Sequence, residues 1–273
     1  MALCCYFHSE KRNGVIVDYF EKKVLEVVER EEKQRPPHDG EPSLFISDAT
    51  KCSRMRWLKF FRYPEKERTP SEQRLFKIGL MIEEWLINKY QRAGVVRRLG
   101  EYVRHHIDPR VRGKTDITLI DEDTKDILSE VKSVNSKKFW YRRKEVDPFN
   151  ADNEKKDGYA AQGLNYVWTF IKQKKYTDLK PVVLITEISR DDLAQLDSRV
   201  ELTDTWKKVL EEDWNTVLKA VDLKKIPPPI KSFPNEYQCQ KCDFRESCLQ
   251  VFSEEHGLQL DKINKRSVDK IRN

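Results

Sequence analysis

Asp116, in GKTDITLI, and Glu130, in ILSEVKSV, flank the polar stretch DEDTKD, and Lys132 follows Glu130 by two residues. A hairpin turning about Asp123 sets positions 116 and 130 opposite each other, so the two carboxylates become cross-strand neighbours. Strand alternation places Lys132 on the face of Glu130, while Ile117 and Leu119 point away from Asp116. Like charges facing each other destabilise a sheet unless a cation lies between them, and hard carboxylate oxygens suit Mg²⁺ or Mn²⁺. Lys132 could then orient or deprotonate a water, or stabilise charge on a phosphorane-like transition state. The same residues also read as an exposed salt-bridge ladder on a solvated sheet.

These groups need elements to hold them. Residues 71–91 have the spacing of a helix, with Leu75, Ile78, Ile82 and Leu86 at intervals of three to four and Ser71 as its cap. On it Glu83, four after Gly79, falls beside the apolar stripe and can reach inward, whereas Glu84 points nearly opposite. Gln162 and Tyr166 share a face of a helix over 158–174, away from Leu164, Val167 and Ile171, and form an amide–phenol pair able to hold a phosphate or position a carboxylate. Either set could equally be surface. A β-meander is expected over 95–134, a strand at PVVLITEI, and helices over 15–31 and 203–221. A further helix, capped by Ser47 or Asp48, should carry Cys52. Loops fall at 32–42, 64–70, 147–158 and 226–236, each rich in Pro, Gly or Asx. The order of elements argues for a mixed α/β core with a helical periphery.

Cys239, Cys242 and Cys248 stand as C-x₂-C-x₅-C after the proline-rich break. Three close thiolates repel unless protonated or metal-bound. Cys52 is the best fourth ligand, since Cys4 and Cys5 lie at the terminus. A tetrathiolate site accepts zinc or an iron–sulfur cluster, and free buried cysteines are the remaining reading.

The 273 residues carry 52 Lys and Arg against 46 Asp and Glu, a net charge of +6. The chain can bury a real core, and no run of about 18 apolar residues or secretory leader is present, so an intracellular, cytoplasmic protein without a membrane span is expected. Its basic charge is concentrated. Residues 51–63 hold five Lys or Arg and no acid, with Trp57, Phe60, Phe61 and Tyr63 among them; residues 132–144 hold six and no acid, with Phe139, Trp140 and Tyr141. Cations interleaved with rings suit single-stranded nucleic acid. The alternative is an amphipathic element with core rings and a solvated basic face.

Taken in order, Cys52, Gly79 and Glu83, Gly113 and Asp116, Glu130 and Lys132, Gln162 and Tyr166, then Cys239, Cys242 and Cys248 resemble the RecB-like branch of the PD-(D/E)xK nucleases. Within it, the pattern is most similar to the CRISPR-associated Cas-four family and related iron–sulfur nuclease domains, over roughly residues 45–250. The resemblance implies a restriction-endonuclease-like α/β core, a mixed central sheet flanked by helices, with a helical arch. It divides the chain into a helical extension over 1–44, the core over 45–236 and a cysteine-ligated cap with a basic tail over 237–273. It also implies that Asp116, Glu130, the backbone carbonyl of Val131 and Glu83, a hard ligand at the position where many relatives have histidine, bind Mg²⁺ or Mn²⁺. Lys132 becomes the catalytic lysine and Gln162 and Tyr166 assist. Cys52, Cys239, Cys242 and Cys248 would hold a four-iron four-sulfur (4Fe-4S) cluster. The expected activity is a metal-dependent DNA exonuclease acting on single-stranded ends, in CRISPR adaptation, recombination or repair. CRISPR-adaptation or recombination proteins are candidate partners, and toroidal homo-oligomers occur among relatives. A non-cleaving DNA-binding or assembly subunit is the alternative. No G-x-x-x-x-G-K-[ST] is present, so the chain is not itself a helicase.

Overall fold

The computed structural model describes residues 10–12, 15–17, 40–144, 149, 158–230, 233–235 and 237–257. Contacts divide the chain into a smaller unit, residues 1–41 and 68–80, and a larger one, 42–67 and 81–273. In the smaller unit, β1 (Glu10–Arg12) and β2 (Val15–Val17) form an antiparallel hairpin. This corrects the helix expected from residue 15. The rest of that expectation, with Cys4, Cys5 and the basic tail, lies outside the described residues.

The larger unit is built on a five-stranded sheet ordered β10-β9-β8-β7-β4, from β4 (Val96–Leu99), β7 (Ile117–Ile120), β8 (Asp126–Val134), β9 (Leu179–Ser189) and β10 (Gln195–Glu201). Its central pair, β8 and β9, is parallel and the other neighbours are antiparallel. The parallel step requires a crossover, which α3 (Ser136–Arg142) and α4 (Gly158–Lys172) supply. Helix α4 is buried along almost its full length, its Leu164, Val167 and Phe170 packing with Leu128, Val183 and Ile185. On the other face Ile117, Leu119, Ile127, Val131 and Ile188 pack with Ile82 and Leu86. Each such side chain taken from water contributes about 1.5–3 kcal/mol.

A second sheet, ordered β3-β6-β5, joins β3 (Leu44–Phe45), β5 (Tyr102–Arg104) and β6 (Val111–Lys114). The meander expected over 95–134 is thus split between two sheets. The chain leaves one for the other at Gly100, whose φ of 53° suits a residue without a Cβ, and again at 115–116, where the Gly100 N–H donates to the Asp116 carbonyl (3.1 Å).

Helix α1 (Ser53–Phe60) starts after Cys52, whose side chain makes no capping bond; Ile46–Asp48 is instead a 3₁₀ turn. Helix α2 (Pro70–Arg92) opens with a capping box. The Thr69 N–H donates to Glu72 Oε2 (2.7 Å), the Glu72 N–H to Thr69 Oγ1 (3.3 Å), and Pro70 takes the first helical position. Thr69, not Ser71, is the cap, and Leu75 and Ile78 of the expected stripe are exposed. Helix α5 (Asp204–Asp222), capped by Thr203, packs its Trp206, Leu210 and Trp214 into the core shared with α4. The chain then reaches α6 (Tyr237–Gln240) and α7 (Arg245–His256). Two hydrogen bonds tie this segment to the chain after α1: the Ser247 hydroxyl donates to the Pro64 carbonyl (2.6 Å) and the Lys66 N–H to the Asp243 carbonyl (2.7 Å).

Candidate active site and cysteine-lined cavity

The hairpin of β7 and β8 turns between Asp121 and Lys125, and Ile117 pairs with Ser129. That register puts residue 116 opposite residue 130, as the sequence spacing requires. Asp116 itself stands one position before β7, where the strand has left the sheet. The ladder therefore ends early, and the Val131 N–H donates to Asp116 Oδ2 (2.9 Å). The break thus turns a strand residue into a fixed carboxylate at the sheet edge.

Glu130 is fully buried on the face covered by α4, and one of its oxygens accepts a hydrogen bond from Lys132 Nζ. Its Oε2 has no hydrogen-bond partner. Burial, then the neighbouring Asp116 charge, pushes the Glu130 carboxyl up to about 8, against the pull of Lys132. Burial opposes the charge on Lys132, but Glu130 and Asp116 outweigh it and hold the ammonium above its ordinary pKa. Glu83 is half-buried on α2, and burial and Asp116 raise its carboxyl, offset in part by Lys132 and Lys114.

Tyr166 of α4 lies over Gly113, where a Cβ would come within 2.7 Å of the ring Cε1, and its hydroxyl donates to the Lys114 carbonyl (3.0 Å). Burial raises its pKa, with Glu130 and Asp116 adding to it and the Gln162 side chain opposing. Gln162 and Tyr166 are buried against the strands, not placed on a solvated face. The structure therefore brings Asp116, Glu130, Lys132, Gln162 and Tyr166 to one end of the β7–β8 hairpin. Among the described residues, no three His, Cys, Asp or Glu side chains are gathered closely enough to hold a metal ion, so Glu83 does not complete a three-acid cluster.

Several neighbours escape the sequence reading. Glu187 faces Lys132 across β8 and β9 and is ion-paired with Arg142 Nε of α3 (3.3 Å). The signal was an acid inside the apolar run VVLITEIS. Tyr159, at the start of α4, accepts a hydrogen bond from Lys138 Nζ (3.0 Å), and its ring has Lys132 Nζ at 5.6 Å from the centroid.

The two basic segments have different fates. In 51–63, Arg56 forks onto Asp213 (2.9 and 2.6 Å), Arg54 bonds Glu255 (2.8 Å), and Lys51 and Lys59 pair with Asp48 (2.8 and 2.7 Å). Trp57 and Phe61 pack tilted against each other at the core, their centroids 4.3 Å apart. Arg54 and Arg56 are thus buried, against both the nucleic-acid reading of the segment and its alternative of a solvated basic face, while Lys51 and Arg62 stay exposed. In 132–144, Phe139 is buried, but Trp140 and Tyr141 are 43% and 63% exposed, beside exposed Lys137, Arg143 and Lys144.

Cys52, Cys239, Cys242 and Cys248 line one small cavity of about 30 Å³, together with Arg54, Met55, Leu58, Ile230, Phe233 and Arg245. None of the four is in a disulfide. Burial raises the Cys242 thiol and pushes Cys248 up to about 11, the latter against the charge of Arg54. Four sulfurs on one apolar wall with buried positive charge form a donor set suited to soft metals.

No family model matches the sequence, and no curated protein does. Among solved structures, that of SSO0001 is similar at a TM-score of 0.47 and 14% identity, over 84% of this chain and 95% of that one. The alkaline exonuclease LHK-Exo from Laribacter hongkongensis is similar at a TM-score of 0.47 and 14% identity, over 67% of this chain and 90% of that one. Its complex with dAMP gives a TM-score of 0.47 and 13% identity with the same coverage, 67% and 90%. Likenesses this distant leave the chemistry to be argued from the side chains. No described helix is long and apolar enough to cross a membrane.

Proposed function

We propose that the protein is a metal-dependent DNA nuclease that hydrolyses phosphodiester bonds from single-stranded ends. The observation that carries this reading is Glu130, a carboxylate sealed in the sheet with one oxygen on Lys132 and the other unpartnered, opposite Asp116. Burial that pushes this carboxyl up to about 8 makes its ionised form costly unless a cation completes it. Asp116, Glu130 and the Val131 carbonyl are the groups that would hold Mg²⁺ or Mn²⁺. Two carboxylates suffice, because Mg²⁺ takes its other ligands from water and substrate phosphate. Bound there, the ion would neutralise phosphate charge and acidify a coordinated water.

The chain's own groups do the rest. Lys132, tethered by Glu130 and kept protonated, can only donate, so it stabilises negative charge on a non-bridging phosphate oxygen instead of acting as base. Tyr166 and Gln162 brace the strand that carries Asp116, the tyrosine through the Lys114 carbonyl. Water oxygen bonds to phosphorus, the bond to the 3′-oxygen breaks, and a water proton passes to that oxygen, leaving a 5′-phosphate. Helix α3, directly after β8, offers Trp140 and Tyr141 as stacking surfaces among Lys137, Arg143 and Lys144, which favours a single strand.

The four cysteines would hold a four-iron four-sulfur cluster. Four thiols lining one cavity suit a tetrathiolate centre, and the cluster is preferred to zinc on the resemblance in the order of motifs. The cluster would be structural, clamping the start of α1 to the C-terminal helices. CRISPR adaptation, recombination or repair are contexts in which such an enzyme acts.

End-labelled single- and double-stranded DNA with Mn²⁺ or Mg²⁺ tests the activity. Wild type is expected to shorten single strands, while Asp116→Ala and Lys132→Ala lose about 10²–10⁴-fold in rate. Equal degradation by all three proteins would remove the assignment; binding without cleavage by wild type would make the chain an assembly subunit.

A further inference from the structure

Arg54 is only 1% exposed, lies two residues after Cys52 on α1, and lines the cavity with all four cysteines. Arginine stays charged at any ordinary pH, so burying it requires compensating groups. Its Nη1 donates to the Pro227 carbonyl (3.0 Å) and its Nη2 to Glu255 Oε2 (2.8 Å). Glu255 is itself about a third exposed, which weakens it as a counter-ion. The third nitrogen, Nε, is buried without an ordinary hydrogen-bond partner, and the arginine lies against Cys248, whose thiol its charge and hydrogen bond pull downward. A buried cation beside four thiols is better compensated when those thiols are ionised around a metal centre.

We propose that Arg54 is the internal counter-ion of a tetrathiolate centre held by Cys52, Cys239, Cys242 and Cys248, its Nε–H donating to sulfur at the Cys248 corner. This rests on the cofactor reading above. Four thiolates around a four-iron four-sulfur core or around zinc leave a dianion in an apolar pocket, and Arg54, with Arg245 at the same wall, offsets it. Arg54 is thus a positioning residue for the centre, not a ligand. Glu255 of α7 and Pro227 hold its fork, so the N-terminal and C-terminal sides of the cavity meet on one side chain. In an iron–sulfur centre the hydrogen bond would also favour the reduced, more negative state.

Arg56 supplies the control. It is equally buried on the same helix and its Nε is likewise without a partner, but it forks onto Asp213 and does not line the cavity, so what sets Arg54 apart is its place beside the cysteines. The full chain, purified anaerobically, is assayed as wild type, Arg54→Gln, Arg54→Lys and Arg56→Lys. Iron, sulfide and zinc per chain are measured, with the rate of metal transfer to a chelator and, for a coloured protein, the midpoint potential. The expected result is metal release about 10-fold or more faster in Arg54→Gln, in line with other outer-sphere partners of metal ligands. Arg54→Lys should be intermediate with a lower potential, and Arg56→Lys should keep the wild-type release rate and potential although it melts earlier. If Arg54→Gln does not accumulate folded, Arg54→Lys, which keeps the charge and loses the Nε–H, decides alone. Release at the wild-type rate and unchanged potential in the Arg54 variants would overturn the inference while leaving the centre in place. A wild-type protein with neither iron nor zinc, before and after reconstitution, would remove the centre itself and the inference with it.

Discussion

Residues 51–63 and 132–144 are near twins in composition, and the fold uses them in opposite ways. In the first, Arg54 and Arg56 turn inward onto Glu255 and Asp213, and its rings join the contact between α1, α5 and the C-terminal segment. In the second, Lys132, Val134, Phe139 and Arg142 turn inward, while Trp140, Tyr141 and the three cations Lys137, Arg143 and Lys144 remain at the surface next to the proposed catalytic strand. The difference lies in the partners. Asp213 and Glu255 are 157 and 201 residues away along the chain from the arginines they meet. Buried cations need acids delivered by other elements, and where none arrive the same residues stay in water and remain available to a phosphate.

The largest effect should come from breaking the first segment. Arg56→Ala leaves Asp213 without its fork and a gap beside Trp214, and is expected to lower unfolding free energy by about 3–5 kcal/mol in urea titrations. A loss under about 1 kcal/mol would erase the contrast with the second segment. Next in size is a test of that second segment. In an Asp116→Ala background, which leaves DNA uncut, Trp140→Ala and Tyr141→Ala should each weaken binding of a fluorescent single-stranded oligonucleotide by about 1–3 kcal/mol, with the melting temperature nearly unchanged. Undiminished affinity would make the two segments alike after all.

The smallest effect concerns the rim of the first segment. Asp48 is buried, which alone would raise its pKa, but Lys51 and Lys59 outweigh that and hold it below 3.8. A carboxyl depressed in the folded state contributes stability that is present above its unfolded pKa and lost as pH falls through the lower, folded value. Stability measured below pH 4 should therefore fall less steeply in a Lys51→Ala, Lys59→Ala double variant, whereas at pH 7 each pair contributes about 0–1 kcal/mol. Affinity for single-stranded DNA should not change in that variant; a loss would return nucleic-acid contact to residues 51–63.

Much of the β7–β8 hairpin was legible in the sequence, because a two-residue side-chain period and a polar turn about Asp123 leave one register that buries Ile117 and Leu119 together. The capping box of α2 was also present in TPSE, although the first serine drew attention from the threonine that does the capping. What escaped were consequences of distant packing: the transfer of β5 and β6 to a second sheet, and the burial of Gln162 on a helix covered nearly all round. Period alone marks which side of an element is apolar, and α4 has no free side.

From its sequence alone the chain determined the local matters: which residues pair across the hairpin, where the long helices run, and that acid, acid and lysine share one sheet position. Only the tertiary structure decided which charges are dry. Glu130, Arg54 and Arg56 are sealed because elements far away in the chain close over them, and desolvation, unlike periodicity, is a property no neighbouring residue can announce.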